Sequence, residues 1–236
     1  MKKNYILTLL LSLLFTIGFQ AQVVIGEGTT VNEEMPIEPF YKWSYSQVIY
    51  HAGEINASGT ITGLKYTATE PTDLENSDGW DIWLGHTSLD QHLDDNTGTS
   101  SGVAWVDISE LTQVFSGTVT IENQVVSITL DTPFEYNGTD NLMVAVNETS
   151  NVNNAYDGSG EDFFCTPTSG IYRGLVYYTD SFQIDPENPP SVTSSNRRES
   201  YANITFEGIT QSCSNPSGFS VDNIMGTSAD VSWTSA

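Results

Sequence analysis

Basic side chains are scarce in this sequence. Lys and Arg together number 7 in 236 residues, against 30 Asp and Glu, for a formal net charge of −23. A protein that grips nucleic acid neutralises phosphates with Lys and Arg, so nucleic acid is excluded as a partner. An anionic membrane surface is excluded on the same ground. Cysteine is as rare. Cys165 and Cys213 are the only two, which excludes a disulfide-dense scaffold and a four-cysteine zinc site. Amphipathic helical runs are missing as well: no long stretch carries apolar groups at i, i+3, i+4 and i+7. The motifs of common catalysts are absent too. His51, His86 and His92 sit in no HExxH, there is no GxSxG, and no glycine-rich loop opens a helix. His86 and His92 lie in a loop without metal-ligand spacing and read as exposed. A glycosidase needs only two carboxylates ~5–10 Å apart. Carboxylates are so abundant here that a solvated acidic face explains them, and the chain is expected not to be an enzyme.

What is present begins with a leader. Met1-Lys2-Lys3-Asn4 is a short basic start, an apolar run follows to Phe19, and Gly18 to Gln22 offers a small-residue cleavage point. This is the layout of a secretory signal peptide over residues 1–21, too short for a span of ~20 apolar residues. It implies a secreted or cell-surface protein.

Beyond the leader, short runs of period two recur between Gly, Asn, Asp, Ser and Pro. They are Ser46–Tyr50, Thr60–Tyr66, the run around Ile82, Thr118–Ile121, Val125–Leu130, Asn141–Val146, Gly174–Tyr178 and Ala202–Phe206. Glu122-Asn123-Gln124 reads as a hairpin turn, Leu130-Asp131-Thr132-Pro133-Phe134 as a strand ending at its proline, and Ile108–Phe115 as one helical turn at most. Such a set predicts an all-β antiparallel fold, a sandwich or a barrel, over residues 22–209. Long polar loops at 70–79, 87–102 and 148–170, and the proline-bearing stretch 185–200, are where binding is expected.

Composition shifts near residue 209. Residues 210–236 read as a linker and two further alternating strands. The pattern Pro216-x-x-Phe219-x-Val221, then Ser228-Ala229-Asp230-Val231-Ser232-Trp233, resembles the opening of a fibronectin type III domain. Such a domain needs roughly 90–100 residues, so further domains of the same protein are expected beyond this chain. The alternative is that these strands finish the first sandwich.

Residues 26–209 resemble an N-terminal module of large secreted proteins from Gram-negative bacteria that use type IX secretion, related in style to the jelly-roll modules of gingipain-type adhesins. The likeness rests on Ser46–Tyr50, Ile82-Trp83-Leu84-Gly85-His86-Thr87, Leu111–Gly117, Leu130–Gly138 and Asn141–Val146, in that order. It implies a non-catalytic sandwich followed by fibronectin type III repeats and a sorting domain. It implies no defined ligand and no site residue.

Two ligand classes and one candidate cross-link then stand out. Exposed tryptophans stack sugar rings, and Trp80, Trp83 and Trp105 are the candidates for a carbohydrate platform, Trp83 lying opposite Trp80 and Ile82 on its strand. Calcium takes carboxylate and carbonyl oxygens; Asp90, Asp94 and Asp95 form one oxygen-rich loop, and Asp157, Glu161 and Asp162 another, neither with EF-hand spacing. A disulfide between Cys165 and Cys213 would suit an exported chain. The expected function is adhesion or domain presentation by a non-catalytic module, with a polysaccharide or a surface protein as partner. The alternative is a carbohydrate-binding accessory module of a secreted hydrolase.

Overall fold

The computed structural model describes residues 21–71, 74, 76–93, 103–149, 162–211, 217–225 and 228–234. The expected leader, Ala21 apart, lies outside the described residues. In chain order these residues form β1 (Gln22–Ile25), β2 (Trp43–Tyr50), helix α1 (Ala52–Ile55), β3 (Gly59–Thr67), β4 (Gly79–Thr87), β5 (Thr112–Thr118), β6 (Ile121–Glu122), β7 (Val125–Tyr136), β8 (Asn141–Glu148), β9 (Cys165–Pro167), β10 (Gly174–Thr179), β11 (Arg197–Arg198), β12 (Ser200–Ala202), β13 (Ile204–Glu207), β14 (Ser217–Asp222) and β15 (Asp230–Thr234). Among them no helix is long and apolar enough to cross a membrane.

The fold is an all-β sandwich. One sheet has the order β1-β13-β3-β7-β6 and the other β11-β10-β2-β8-β4-β5, with antiparallel pairing throughout. Alternation decides which side chains meet between them. Val48 and Tyr50 of β2, Trp80, Ile82 and Leu84 of β4, and Val144 and Val146 of β8 point inward. Leu64 and Tyr66 of β3, Val126 and Ile128 of β7, and Phe206 of β13 meet them in one core. Each such side chain contributes roughly 1.5–3 kcal/mol by leaving water. Aromatic rings meet edge to face at the centre, with Tyr66, Trp80 and Phe163 in one group and Tyr50, Tyr201 and Phe206 in another. The first strand closes beside the last, Gln22 opposite Glu207 and Ile25 opposite Ile204.

The turns follow their residues. Asn123 and Gln124 join β6 to β7 with φ of 52° and 64°, the left-handed pair that suits a two-residue hairpin. Gly138 has φ 74°, and a Cβ there would stand 2.7 Å from the Ala57 carbonyl; Asn137 Oδ1 accepts from the Thr139 and Asp140 N–H groups beside it. One expectation holds and another changes. The helical turn is a single 3-10 turn, Ile108–Glu110, capped by Asp107, and β5 takes over at Thr112. Pro133 does not end its strand. Ile61 pairs with Phe134 and Gly63 with Thr129, so residues 130–133 slip out of register and the missing proline N–H falls where no ladder bond is needed.

β14 and β15 pair only with each other among the described residues, with Val221 opposite Val231. They do not finish the sandwich.

Candidate functional site

The outer face of the six-stranded sheet is not left to water. Trp43, Tyr45 and Ala145 point outward and are buried with Ile108 and Ile184, and Trp83, Trp105, Leu111 and Tyr177 pack around them. Val103, Leu175 and Val192 form a neighbouring cluster that shares Trp105 and Tyr177. Two strips of chain therefore lie over this face, one near 103–111 and the other near 184–192. Gln47 of β2 holds the first. Its fully buried side-chain amide donates from Nε2 to the Val106 carbonyl at 2.8 Å and accepts the Val106 N–H on Oε1 at 2.8 Å. That reciprocal pair imitates one rung of a sheet. Trp105 joins the strips, its Nε1 donating to the Pro190 carbonyl at 2.8 Å while its ring lies 4.7 Å from Tyr45.

Between the strips runs a groove of about 640 Å³, lined by Val103 to Ile108 on one side and by Pro186, Glu187 and Pro189 to Thr193 on the other. Its chemistry is mixed. Trp105, Val103 and the prolines give apolar walls, and Asp107 and Glu187 give acidic rims. Asp107 is held below the usual carboxylate range by hydrogen bonds from the Ser109 side chain and N–H. The main chain of Val103–Trp105 and of Ser191–Val192 makes no hydrogen bond to another described residue. Two extended strips thus offer unused N–H and C=O groups to whatever lies between them.

The expected site residues are scattered by comparison. Trp80 is no sugar platform: it is fully buried in the core, its Nε1 donating to the Ser77 carbonyl at 2.7 Å. Trp83 does face the other way, as its strand position predicts, but that face is covered, and its ring packs among the strips. Of the three tryptophans, Trp105 reaches the groove. Asp90 Oδ1 accepts from Asn141 Nδ2 at 3.0 Å, and Asp162 is tied through its main chain to Thr69. Asp94, Asp95, Asp157 and Glu161 lie outside the described residues. Among the described residues no three His, Cys, Asp or Glu side chains gather so as to hold a metal ion. Cys165 is a free, fully buried thiol whose Sγ leans on the Met35 and Phe163 carbonyls, and burial pushes its pKa up. The expected disulfide is not made, and Cys213 lies outside the described residues.

Two of the histidines are tied into the fold by hydrogen bonds. His92 is buried rather than exposed, and its Nε2 donates to the Gln47 carbonyl at 3.2 Å. Burial pushes its pKa down to about 4, which keeps it neutral. His51 bridges the Asp90 carbonyl and Arg173, and that buried guanidinium also pairs with Glu54 at 2.7 Å. No protein-family model, no curated protein and no solved structure matches the chain. Of the groove's residues the sequence had marked only Trp105 and the extended proline stretch. The remaining signal was the apolar character of Val103 and Val106 inside a polar loop.

Proposed function

We propose that this chain is a non-catalytic binding module of a secreted or cell-surface protein, and that it adheres by seating an extended polymer in the groove between 103–108 and 186–193. The groove carries the reading. It holds about 640 Å³, Trp105 lines one side and prolines the other, and the main chain of Val103–Trp105 and Ser191–Val192 has no hydrogen-bond partner among the described residues. Its acidic rim favours an uncharged or cationic chain over an anionic one. A carbohydrate occupant is the second reading, favoured by Trp105, since sugar rings lie on indole faces while their hydroxyls bond carboxylates such as Asp107 and Glu187.

The test is retention of the purified chain on a panel of neutral, cationic and anionic polysaccharides and on extended peptides. Trp105→Ala removes the apolar wall, and Thr139→Ala on the hairpin turn serves as control. Retention on one uncharged or cationic polymer, lost in Trp105→Ala and kept in the control, supports the reading. Turnover of any of these polymers, or binding that ignores Trp105→Ala, overturns it.

A further inference from the structure

A second cavity, of about 240 Å³, shares no residue with the groove. Its lining combines two kinds of group. Phe40, Tyr41 and Tyr178 supply an aromatic wall, with the Tyr41 and Tyr178 rings stacked at 4.3 Å and Phe40 edge-on to Tyr41 at 5.3 Å. Glu34, Glu38 and Asp162 supply carboxylates. One cation already answers them, Arg198 Nε on Glu34 Oε2 at 2.5 Å. Three carboxylates against one guanidinium leave a negative surplus.

Glu38 shows where the surplus is felt. It is 9% exposed, and its Oε1 accepts the Phe40 N–H at 3.1 Å. The side chain also lines the cavity. A carboxylate on so nearly buried a residue is costly to keep charged unless a cation or further donors answer it.

We propose that this cavity binds an organic cation, an ammonium group seated between the Tyr41–Tyr178 pair and the Glu38 and Asp162 carboxylates. Aromatic faces attract cations through the ring quadrupole, and that attraction strengthens away from water. Carboxylates set around the same cavity add the opposite charge. A calcium ion is the poorer fit, because it takes about 6–8 oxygens and these carboxylates do not converge on one point. The protonation behaviour agrees. Burial first, then the facing Asp162 and Glu34 charges, push Glu38 up to about 7 against the pull of the Phe40 N–H and Arg198. Burial, with Glu34 again, raises Asp162. A bound cation relieves both carboxylates at once. The inference stands whether or not the groove binds a polymer.

The experiment titrates the purified chain with tetramethylammonium and butylammonium chloride at pH 8, followed by calorimetry. Sodium chloride at matched ionic strength and calcium chloride are the controls. The expected result is saturable binding of an ammonium probe that sodium does not reproduce. Binding falls about tenfold in Glu38→Gln and in Tyr178→Ala, and survives in Tyr178→Phe, which keeps the ring face. Glu38→Gln keeps the side-chain shape, so it decides the matter if Tyr178→Ala fails to fold. The proposal is overturned by a response that sodium reproduces or by the absence of saturation. Ammonium binding unchanged in Glu38→Gln, or calcium displacing the probe at equal concentration, overturns it as well.

Discussion

Val48 faces Val144 across the β2–β8 ladder, and Val221 faces Val231 across β14–β15. The pairings are chemically alike. The first pair is almost wholly buried, with 2% and 1% of surface exposed, and the second is 53% and 54% exposed. Strand pairing satisfies the backbone in both places, but only a second sheet takes the valines out of water. A lone two-stranded hairpin is marginal in water for this reason. Alternation in a sequence therefore reports that a strand has a face to bury. It does not report that the burial occurs.

The strongest way to break the contrast is to empty the sandwich core. Trp80→Ala is expected to cost about 3–5 kcal/mol in urea unfolding, because the fully buried ring leaves a cavity among Tyr66 and Phe163. A loss under ~1 kcal/mol would show that the two sheets depend little on each other.

A pH series sharpens the contrast next, since the sandwich buries acids and the hairpin does not. Glu148 is fully buried behind Ser44, whose hydroxyl donates to it at 2.8 Å. Burial is the main cause lifting it to about 8, with the nearby Ser77 hydroxyl and the Ser44 hydrogen bond pulling down and the charge of Glu38 pushing up. In the unfolded chain both glutamates titrate near 4.5. Above that value the folded state keeps protons that the unfolded state has lost. Their contribution is thus full below about 4.5 and fades as pH rises through about 7 for Glu38 and about 8 for Glu148. Glu148→Gln removes one of them. Its stability relative to the parent is expected to rise by about 3 kcal/mol between pH 5 and pH 8. A constant difference between the two proteins across that range would refute the assignment.

Gln47→Ala addresses the cover rather than the core. Losing the reciprocal amide pair leaves the Val106 N–H and C=O unsatisfied, at a cost of about 1–3 kcal/mol. Amide exchange is expected to speed up first at Val106. The smallest effect belongs to the hairpin: Val231→Ala should move the sandwich's unfolding by less than ~0.5 kcal/mol. A larger shift would mean that the hairpin's exposed face is coupled to the core.

Strands were legible because a half-buried sheet writes its period into the residues. Trp80, Ile82 and Leu84 spelled out an inner face, and Trp83 an outer one. Asn141–Val146 was legible as a strand, and the structure buries it on both faces from Leu142 onward. What covers the outer face was not legible, since strips 103–111 and 184–192 are irregular and leave no period to detect. Glu38 and Glu148 were hidden by the ordinary preference of glutamate for water, which only the folded neighbours reveal to be overridden. Pro133 misled for a related reason: a bulge can absorb a proline, and a bulge has no signature in one strand read alone. For the groove the sequence offered Trp105 and the prolines, but not that Gln47 would hold the first strip or that Trp105 would tie it to the second.

The β1–β13 ladder has a mechanical consequence. Gln22 lies opposite Glu207, and the Gly208 N–H donates to the Ala21 carbonyl at 2.7 Å. The polypeptide thus arrives at and departs from the sandwich at one point of its rim, and the body hangs from the backbone like a pendant. A load drawn through the segment that leaves at Gly208 falls on β13, which lies between β1 and β3, so both neighbours share it before the rest of the body feels it.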